Sequence, residues 1–442
     1  MKNKVTVIGG GMAGVEAAWQ LAKNKIYVDL YEMKPVKFSP AHKSEGLAEL
    51  VCSNSLKAMR LESAAGLLKE EMRRFDSICM QSADIAKVDA GGALAVDRDV
   101  FSSVITKKLE ENEYINLIRE EVTKIPDGFV IVAAGPLASE ALSEDIRRIC
   151  GDGLYFFDAA APIVTYDSVD MSKAFKASRY DRGGEDDYIN CPMNKEEYEL
   201  FYSELINGES AELHSFDKRK DVYEGCMPIE VMASRGAYTM RFGPLKPVGL
   251  RDPRTGHRPW AVLQLRKENN DGTLYNLVGF QTNLKFAEQK RIFSLIPALH
   301  DAEFMRYGVM HRNTFINSPS LLNSDFSFRE RENLFFAGQI TGVEGYMESA
   351  SSGILAGLNA ARRLRGENTV ILPKTTMMGA LSAYISDRSV KNFQPMGANF
   401  GVLPPLENKI RDKKERYAAL SKRGLSDLEA YLIENSVQPD RI

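Results

Sequence analysis

A chain that opens on strand, glycine turn and helix, and returns late to a strand, an Ala-Gly and a second helix, predicts an α/β fold. The expected form is a Rossmann-like domain of the two-part nucleotide-binding type, interrupted by an inserted α/β domain. The opening is "KVTVIGGGMAGVEAAWQLAKNKIYVDLYEM" (4–33) and the return is "ENLFFAGQITGVEGYMESASSGILAGLNAARRL" (332–364). Between them, from about 171 to 299, the composition shifts to polar and Pro/Gly-rich runs. With 442 residues, 44% of them hydrophobic, the chain is long enough for more than one core. The expected division is 1–170 with 300–442 for the discontinuous nucleotide-binding domain, and 171–299 for the insertion.

Val5–Ile8 reads as a buried strand, Val15–Ala22 as an Ala-rich helix and Tyr27–Tyr31 as a second strand. Between strand and helix lies the loop Gly9, Gly10, Gly11, Met12, Ala13, Gly14, in which Gly9, Gly11 and Gly14 fall in the GxGxxG pattern. The first glycine permits the turn, the second lets backbone approach a pyrophosphate, and the third lets helix and strand pack closely. The helix N-terminus adds amide donors and partial positive charge. Glu32 closes the second strand 18 residues after Gly14, where an acid accepts hydrogen bonds from ribose hydroxyls.

The late segment points to FAD. Leu334–Ala337 reads as a short strand, followed by Gly338, Gln339 and a loop through Gly345 and Tyr346. A helix with Ala350, Gly353, Ala356, Gly357 and Ala360 comes next. Flavoproteins of the two-part type use such a segment to hold the ribityl chain and flavin ring, and "FVIVAAGP" (129–136) resembles their intermediate strand. Gln339 is a departure, since many flavoproteins carry an acid there. No second GxGxxG follows a strand, so a nicotinamide reductant would bind without that fingerprint. The absence of CxxC argues against a disulfide reductase.

In the middle, a helix is expected from Lys195, and strands at Trp260–Leu265 and Leu274–Phe280 flank an Asn-Asp-Gly turn. The loop "RDPRTGHR" (251–258) leaves Arg251, Arg254, His257 and Arg258 to reach phosphates. The tail basics Arg411, Lys413, Lys414, Arg416, Lys422 and Arg423 read as a solvated helix face. The net charge of -3 argues against a surface covered in positive charge. Five scattered cysteines and five scattered histidines give neither a disulfide framework nor a metal site. No run approaches the ~20 apolar residues of a membrane span. The expectation is a soluble, cytoplasmic protein without membrane or metal.

Two cysteines stand in unusual company. Cys52 precedes Ser53-Asn54-Ser55, a run that reads as a helix N-cap, where amide donors would lower the thiol pKa. Cys226 lies in "VYEGCMPIEVMASRG" (222–236), between Glu224 and Glu230 and upstream of Arg235 and Arg241. Cys79, Cys150 and Cys191 read as buried small hydrophobes.

The stretches "AELVCSNSL", "GLLKEEMR", "DAGGALAVDR", "YINCPM", "EGCMPIE", "RFGPLKPVGL", "YNLVGFQT", "FAGQITGVEGY" and "NFGVLPPL" run collinearly along almost the whole chain. Together they closely resemble the bacterial folate- and FAD-dependent tRNA uracil-5-methyltransferases. The resemblance implies methylation of a T-loop uridine in tRNA, with 5,10-methylenetetrahydrofolate as one-carbon donor, FAD as cofactor and NADPH or NADH as reductant. It also gives the thiols a use. Uracil carbon 5 is a poor nucleophile until a thiolate adds to carbon 6, and a base must later remove the carbon-5 proton. Cys52 and Cys226 match the family's two cysteine positions, and sequence leaves open which is nucleophile and which is base. The same chemistry on ribosomal RNA, or a flavin-dependent modification of the tRNA wobble uridine, are the alternatives. An RNA-binding flavoprotein without chemistry is a third, which the two cysteine motifs oppose.

Overall fold

The computed structural model describes residues 4–39, 41–151, 154–181, 188–210, 227–267, 272, 274–390, 393, 395–408 and 410–437, with backbone alone at 154–160, 181, 274, 306 and 309–314. It is a mixed α/β structure built on two six-stranded sheets.

In the first sheet the strand order is Ser327–Phe328, Arg331–Phe336, Val130–Val132, Lys4–Ile8, Tyr27–Tyr31, Ile115–Ile118. All neighbours are parallel except the edge pair Ser327–Phe328 with Arg331–Phe336. The late strand therefore returns beside the intermediate one, Leu334 opposite Val130 and Phe336 opposite Val132. Val5, Val7, Val130, Ile131, Val132 and Leu334 to Phe336 are buried, as a parallel sheet covered on both faces requires. Helix Met12–Lys23 lies against helix Tyr346–Leu364. Small residues allow a close crossing: a Cβ at Gly353 would lie 2.1 Å from the Ala13 carbonyl oxygen, and one at Gly357 would lie 2.6 Å from that of Ala17.

The second sheet is antiparallel throughout, in the order Phe175–Lys176, Tyr188–Met193, Ala261–Lys267, Leu274–Leu277, Ile163–Thr165, Phe304–Arg306. It takes in Ile163–Thr165 and Phe304–Arg306, on either side of the 171–299 bounds expected from composition. The reason is that Ile163–Thr165 sits between two strands drawn from much later in the chain. Helix Lys195–Asn207 begins where the sequence places it, with a capping box between Asn194 and Glu197. Ile189, Cys191, Met193, Leu263 and Leu265 join one apolar core drawn from residues 164–302. Alternate positions Asn190, Gln264, Arg266 and Asn276 are also buried, on the opposite, polar face. A larger core gathers residues 5–146 and 315–437.

Strands Leu154–Ala160 and Val309–Phe315 pair antiparallel where the chain passes between these cores. A three-stranded sheet of Ser55–Ala58, Ala93–Val96 and Lys87–Val88 carries the segment after Cys52. Among the described residues no helix is long and apolar enough to cross a membrane.

Candidate active site

A cavity opens at the carboxyl ends of the parallel strands, the usual ligand position in such sheets. Gly9, Gly10, Gly11, Met12 and Ala13 line it on one side, Gly338, Gln339 and Tyr346 on another, with Glu32 at the end of its strand. Gly14 is not in the lining. A Cβ there would sit 1.8 Å from the Gly9 carbonyl oxygen, so this glycine serves helix–strand contact. Gly345 caps helix Tyr346–Leu364 instead of facing the cavity.

Three observations fit this cavity to a dinucleotide. A Cβ built on Gly11 meets nothing within 4 Å, so the space a side chain would fill is open to a ligand. Gly11 also caps helix Met12–Lys23 without a side-chain hydrogen bond, leaving amides toward an anion. Glu32, 7% exposed, accepts from the Gly10 amide at 2.9 Å and the Lys34 amide at 3.0 Å. Those bonds fix its carboxylate and leave further lone pairs for ribose hydroxyls. Gln339 donates to the Glu344 carboxylate, 3.3 Å to each oxygen. An acid therefore does stand at this turn, five residues later than the sequence pattern looks for it.

Cys52 is half-buried at the same end of the sheet. Its amide donates to the Tyr346 hydroxyl at 2.9 Å, and its Sγ lies 3.0 Å from that oxygen. The hydroxyl accepts the amide's bond, and either the hydroxyl or the thiol can donate along the contact between oxygen and sulfur. Burial pushes the Tyr346 hydroxyl well above its ordinary range, which keeps the proton in place. The Arg98 guanidinium grips the loop from below, donating to the Leu50 carbonyl at 2.5 Å and the Val51 carbonyl at 3.2 Å.

The expected helix N-cap after Cys52 is not there. Ser55–Ala58 is a strand, and the next helix, Ala64–Arg74, is capped by Ser63. The Ser/Asn run is used across the molecule. Arg266, from strand Ala261–Lys267, donates to Ser53 Oγ at 2.6 Å and Asn54 Oδ1 at 3.2 Å, while Asn54 donates to the Lys267 carbonyl at 2.7 Å. The Cys52 loop is thus held by Arg98 and Tyr346, which open helices Arg98–Glu110 and Tyr346–Leu364, and by Arg266 from the antiparallel sheet. Sequence reasoning missed Arg98, Arg266 and Glu344. The faint signal for Arg266 was its place two residues after Gln264, on the polar alternate positions of strand Ala261–Lys267.

Cys226 lies outside the described residues. Cys79 and Cys191 are buried in the cores, where loss of solvent pushes their thiols upward; half-buried Cys150 is pushed to about 12 for the same reason.

The Arg251–Arg258 loop is more structured than its sequence implied. Arg254 is not free. It forks onto Asp252, Nε to Oδ1 at 2.9 Å and Nη2 to Oδ2 at 2.6 Å, and donates to the Ser172 carbonyl at 2.6 Å. The reason is local: Asp252 is 4% exposed, and a buried carboxylate two residues away captures the guanidinium. Arg251 and Arg258 remain exposed and line an open cleft with Tyr180 and His257.

The chain matches the family model described as Glucose inhibited division protein A over residues 4–368. It is 60% identical over 438 residues to the methylenetetrahydrofolate–tRNA-(uracil-5-)-methyltransferase TrmFO of Acetivibrio thermocellus, covering 99% of this chain and 100% of that one. With the protein of the same name from Natranaerobius thermophilus it shares 59% identity over 431 residues, 97% of this chain and 99% of that one. Among solved structures it resembles Aquifex aeolicus GidA in the form II crystal, with a TM-score of 0.70 at 17% identity over 98% of this chain and 75% of that one. By these matches the chain belongs to the Glucose inhibited division protein A family and, within it, to the methylenetetrahydrofolate–tRNA-(uracil-5-)-methyltransferases.

Proposed function

We propose that this chain is an enzyme that methylates carbon 5 of a uridine in tRNA, with 5,10-methylenetetrahydrofolate as one-carbon donor and FAD as cofactor. The observation that carries the reading is near-full-length identity of 56–60% to relatives named for that activity. The glycine cavity supports FAD: the Gly11 opening would take the pyrophosphate, Glu32 the ribose, and the Gly338–Gln339 turn with Tyr346 the flavin end. Bound there, FAD supplies the reducing power that turns a transferred methylene into a methyl group. We further assign the uridine to the T-loop, the reductant to NADPH or NADH, and the protein to the cytoplasm. The ribosomal RNA and wobble-uridine alternatives are not favoured.

The chemistry asks two things of the chain's thiols. One thiolate adds to uracil carbon 6, and the carbon 5–carbon 6 electron pair moves toward the carbonyl at carbon 4, making carbon 5 nucleophilic. After carbon 5 has bonded to the methylene, a base removes its proton. The enolate so formed expels the carrier's nitrogen from the methylene and leaves an exocyclic carbon–carbon double bond; hydride added to that exocyclic carbon regenerates the enolate, which expels the sulfur from carbon 6. Cys52 and Cys226 are assigned these two roles together, with neither fixed to one. Either role needs a thiolate at Cys52, and the Tyr346 hydroxyl, 3.0 Å from Sγ, stands where it can donate to the sulfur once the thiol has lost its proton. Arg251 and Arg258 are assigned to RNA phosphates; Arg254 acts through the loop it braces.

The test is to incubate the protein with unmodified tRNA, labelled methylenetetrahydrofolate and NADPH, and map the label. Label on carbon 5 of one T-loop uridine is expected. Cys52→Ala and Cys226→Ala should each lose it while keeping yellow flavin. Label on another nucleotide, or an active double variant, would refute the assignment.

A further inference from the structure

The structure carries an exposed aromatic platform outside the lining of the glycine cavity. Between Arg235 and Arg258 the sequence holds six Lys/Arg side chains (Arg235, Arg241, Lys246, Arg251, Arg254, Arg258) against one acid, Asp252. Arg254 neutralises that acid, so the stretch presents an excess of positive charge. Two aromatics lie within it. Phe242 is 83% exposed and Tyr238 is 47% exposed.

The platform is fixed rigidly. Arg241 donates from Nε to the Trp260 carbonyl at 2.8 Å, and its guanidinium stacks 3.8 Å from the Trp260 ring centre. Tyr238 meets the same indole edge-on at 6.2 Å, and Lys195 Nζ lies 5.8 Å from it. These contacts bolt the 3-10 turn Thr239–Phe242 to the residue that opens strand Ala261–Lys267. Below the turn Met240 is fully buried, so Phe242 two residues on is turned outward. Gly243 follows with little room for a side chain, since a Cβ there would lie 3.1 Å from Met232 Sδ. Water gains nothing from a phenyl ring held out in this way.

We propose that Phe242, supported by the Tyr238–Arg241–Trp260 stack, is a stacking platform for an unpaired nucleobase of the RNA substrate. The occupant must offer a flat π-face and negative charge together, and single-stranded RNA offers both in every nucleotide. A folded protein partner would more often meet an exposed Phe with apolar side chains than with anions. The inference rests on the tRNA reading above and extends it to a surface that grips the unpaired segment.

The experiment measures binding without turnover, on the flavin-loaded full chain. Wild type, Phe242→Ala and Phe242→Trp are titrated with an unmodified tRNA transcript and with a fully paired RNA duplex. Loss of one base–aromatic stack should weaken tRNA binding by about tenfold in Phe242→Ala. Duplex affinity, salt slope and flavin content should stay as in wild type, and Phe242→Trp should restore binding. A 2-aminopurine placed in the tRNA loop should be quenched by wild type and not by Phe242→Ala. Unchanged tRNA affinity, or an equal loss on duplex, would overturn the platform while leaving the methyltransferase reading intact. A wild-type dimer that falls to monomer in Phe242→Ala would assign the ring to a second copy and overturn it too. Wild type that neither binds nor methylates tRNA would remove the substrate reading and the platform with it.

Discussion

In the parallel sheet the turns that line the cavity bring bare backbone to it: Gly9, Gly10 and Gly11 from the first strand's turn and Gly338 from the last. In the antiparallel sheet the polar face is made of side chains: Gln264 donates to Asn190 at 3.0 Å, Arg179 donates to Gln264 at 2.7 Å, and Arg266 reaches Ser53 and Asn54. The two regions also bury charge differently. The first domain keeps single carboxyls inside: Glu16 accepts from Ser77 and from the Cys79 amide, while Glu71 accepts from the Met377 and Met378 amides at 2.7 and 2.8 Å. The second joins polar side chains to one another across its sheet, as Gln264 does with Asn190 and Arg179. The lesson concerns what a mutation can reach. Backbone-walled sites fail by steric intrusion, and side-chain networks fail by leaving a partner unsatisfied.

The sharpest break should come from two neighbouring glycines. Gly14→Ala drives a methyl into the Gly9 carbonyl and should cost on the order of 3 kcal/mol or more, lowering the melting temperature and releasing flavin together. Gly11→Val meets open space, so its stability should stay within about 1 kcal/mol of wild type. Its 450 nm absorbance should still be lost. Equal melting losses in both variants would show that the two glycines are not doing different jobs.

The buried carboxyls predict a pH response. Burial raises Glu71 from 4.5 to about 8 and Glu16 from 4.5 to about 7. Both bind their protons more tightly when folded. Their stabilisation is therefore full below the ordinary carboxylate value and is lost as pH rises through about 7 to 8. Lys69, lowered by burial from 10.5 to about 8, contributes slope only above that window. Denaturant midpoints should fall from pH 5 to pH 8 by an amount on the order of a few kcal/mol in total. Glu71→Gln should flatten the fall. A wild-type profile that rises over that window would contradict the burial argument.

A smaller effect tests the contact between the sheets. Arg266→Met removes the partner of Ser53 and Asn54 and should cost about 1–3 kcal/mol. It should also speed iodoacetamide labelling of Cys52, as the loop loosens, with flavin retained. Unaltered labelling would mean Arg98 and Tyr346 hold the loop without help. The smallest effect belongs to the surface loop. Arg251→Ala and Arg258→Ala should each lower the salt slope of tRNA binding by about 1. Arg254→Ala should lower the melting temperature instead, because Asp252 loses its partner.

The sequence by itself determined the parallel sheet, its crossover helix and the glycine cavity. A backbone that must turn tightly or let another chain segment approach admits little but glycine, so Gly9, Gly14, Gly353 and Gly357 record three-dimensional contacts in one-dimensional order. The two cysteine motifs stand on collinear resemblance, and of them the described residues hold only Cys52. Only the tertiary structure decided how the Cys52 loop is held. Ser53-Asn54 looks locally like a helix cap, since a short polar side chain can bond its own backbone as readily as a distant partner. Arg266 wins that competition from more than 200 positions away, with a charged fork that a local amide cannot match. Arg254 was decided in the same way. Its sequence neighbours mark it as a phosphate contact, and the buried carboxylate of Asp252 pairs with it instead. Burial and long-range partners arise only when the chain packs, and that is why the side-chain half of the site was hidden while the backbone half was plain.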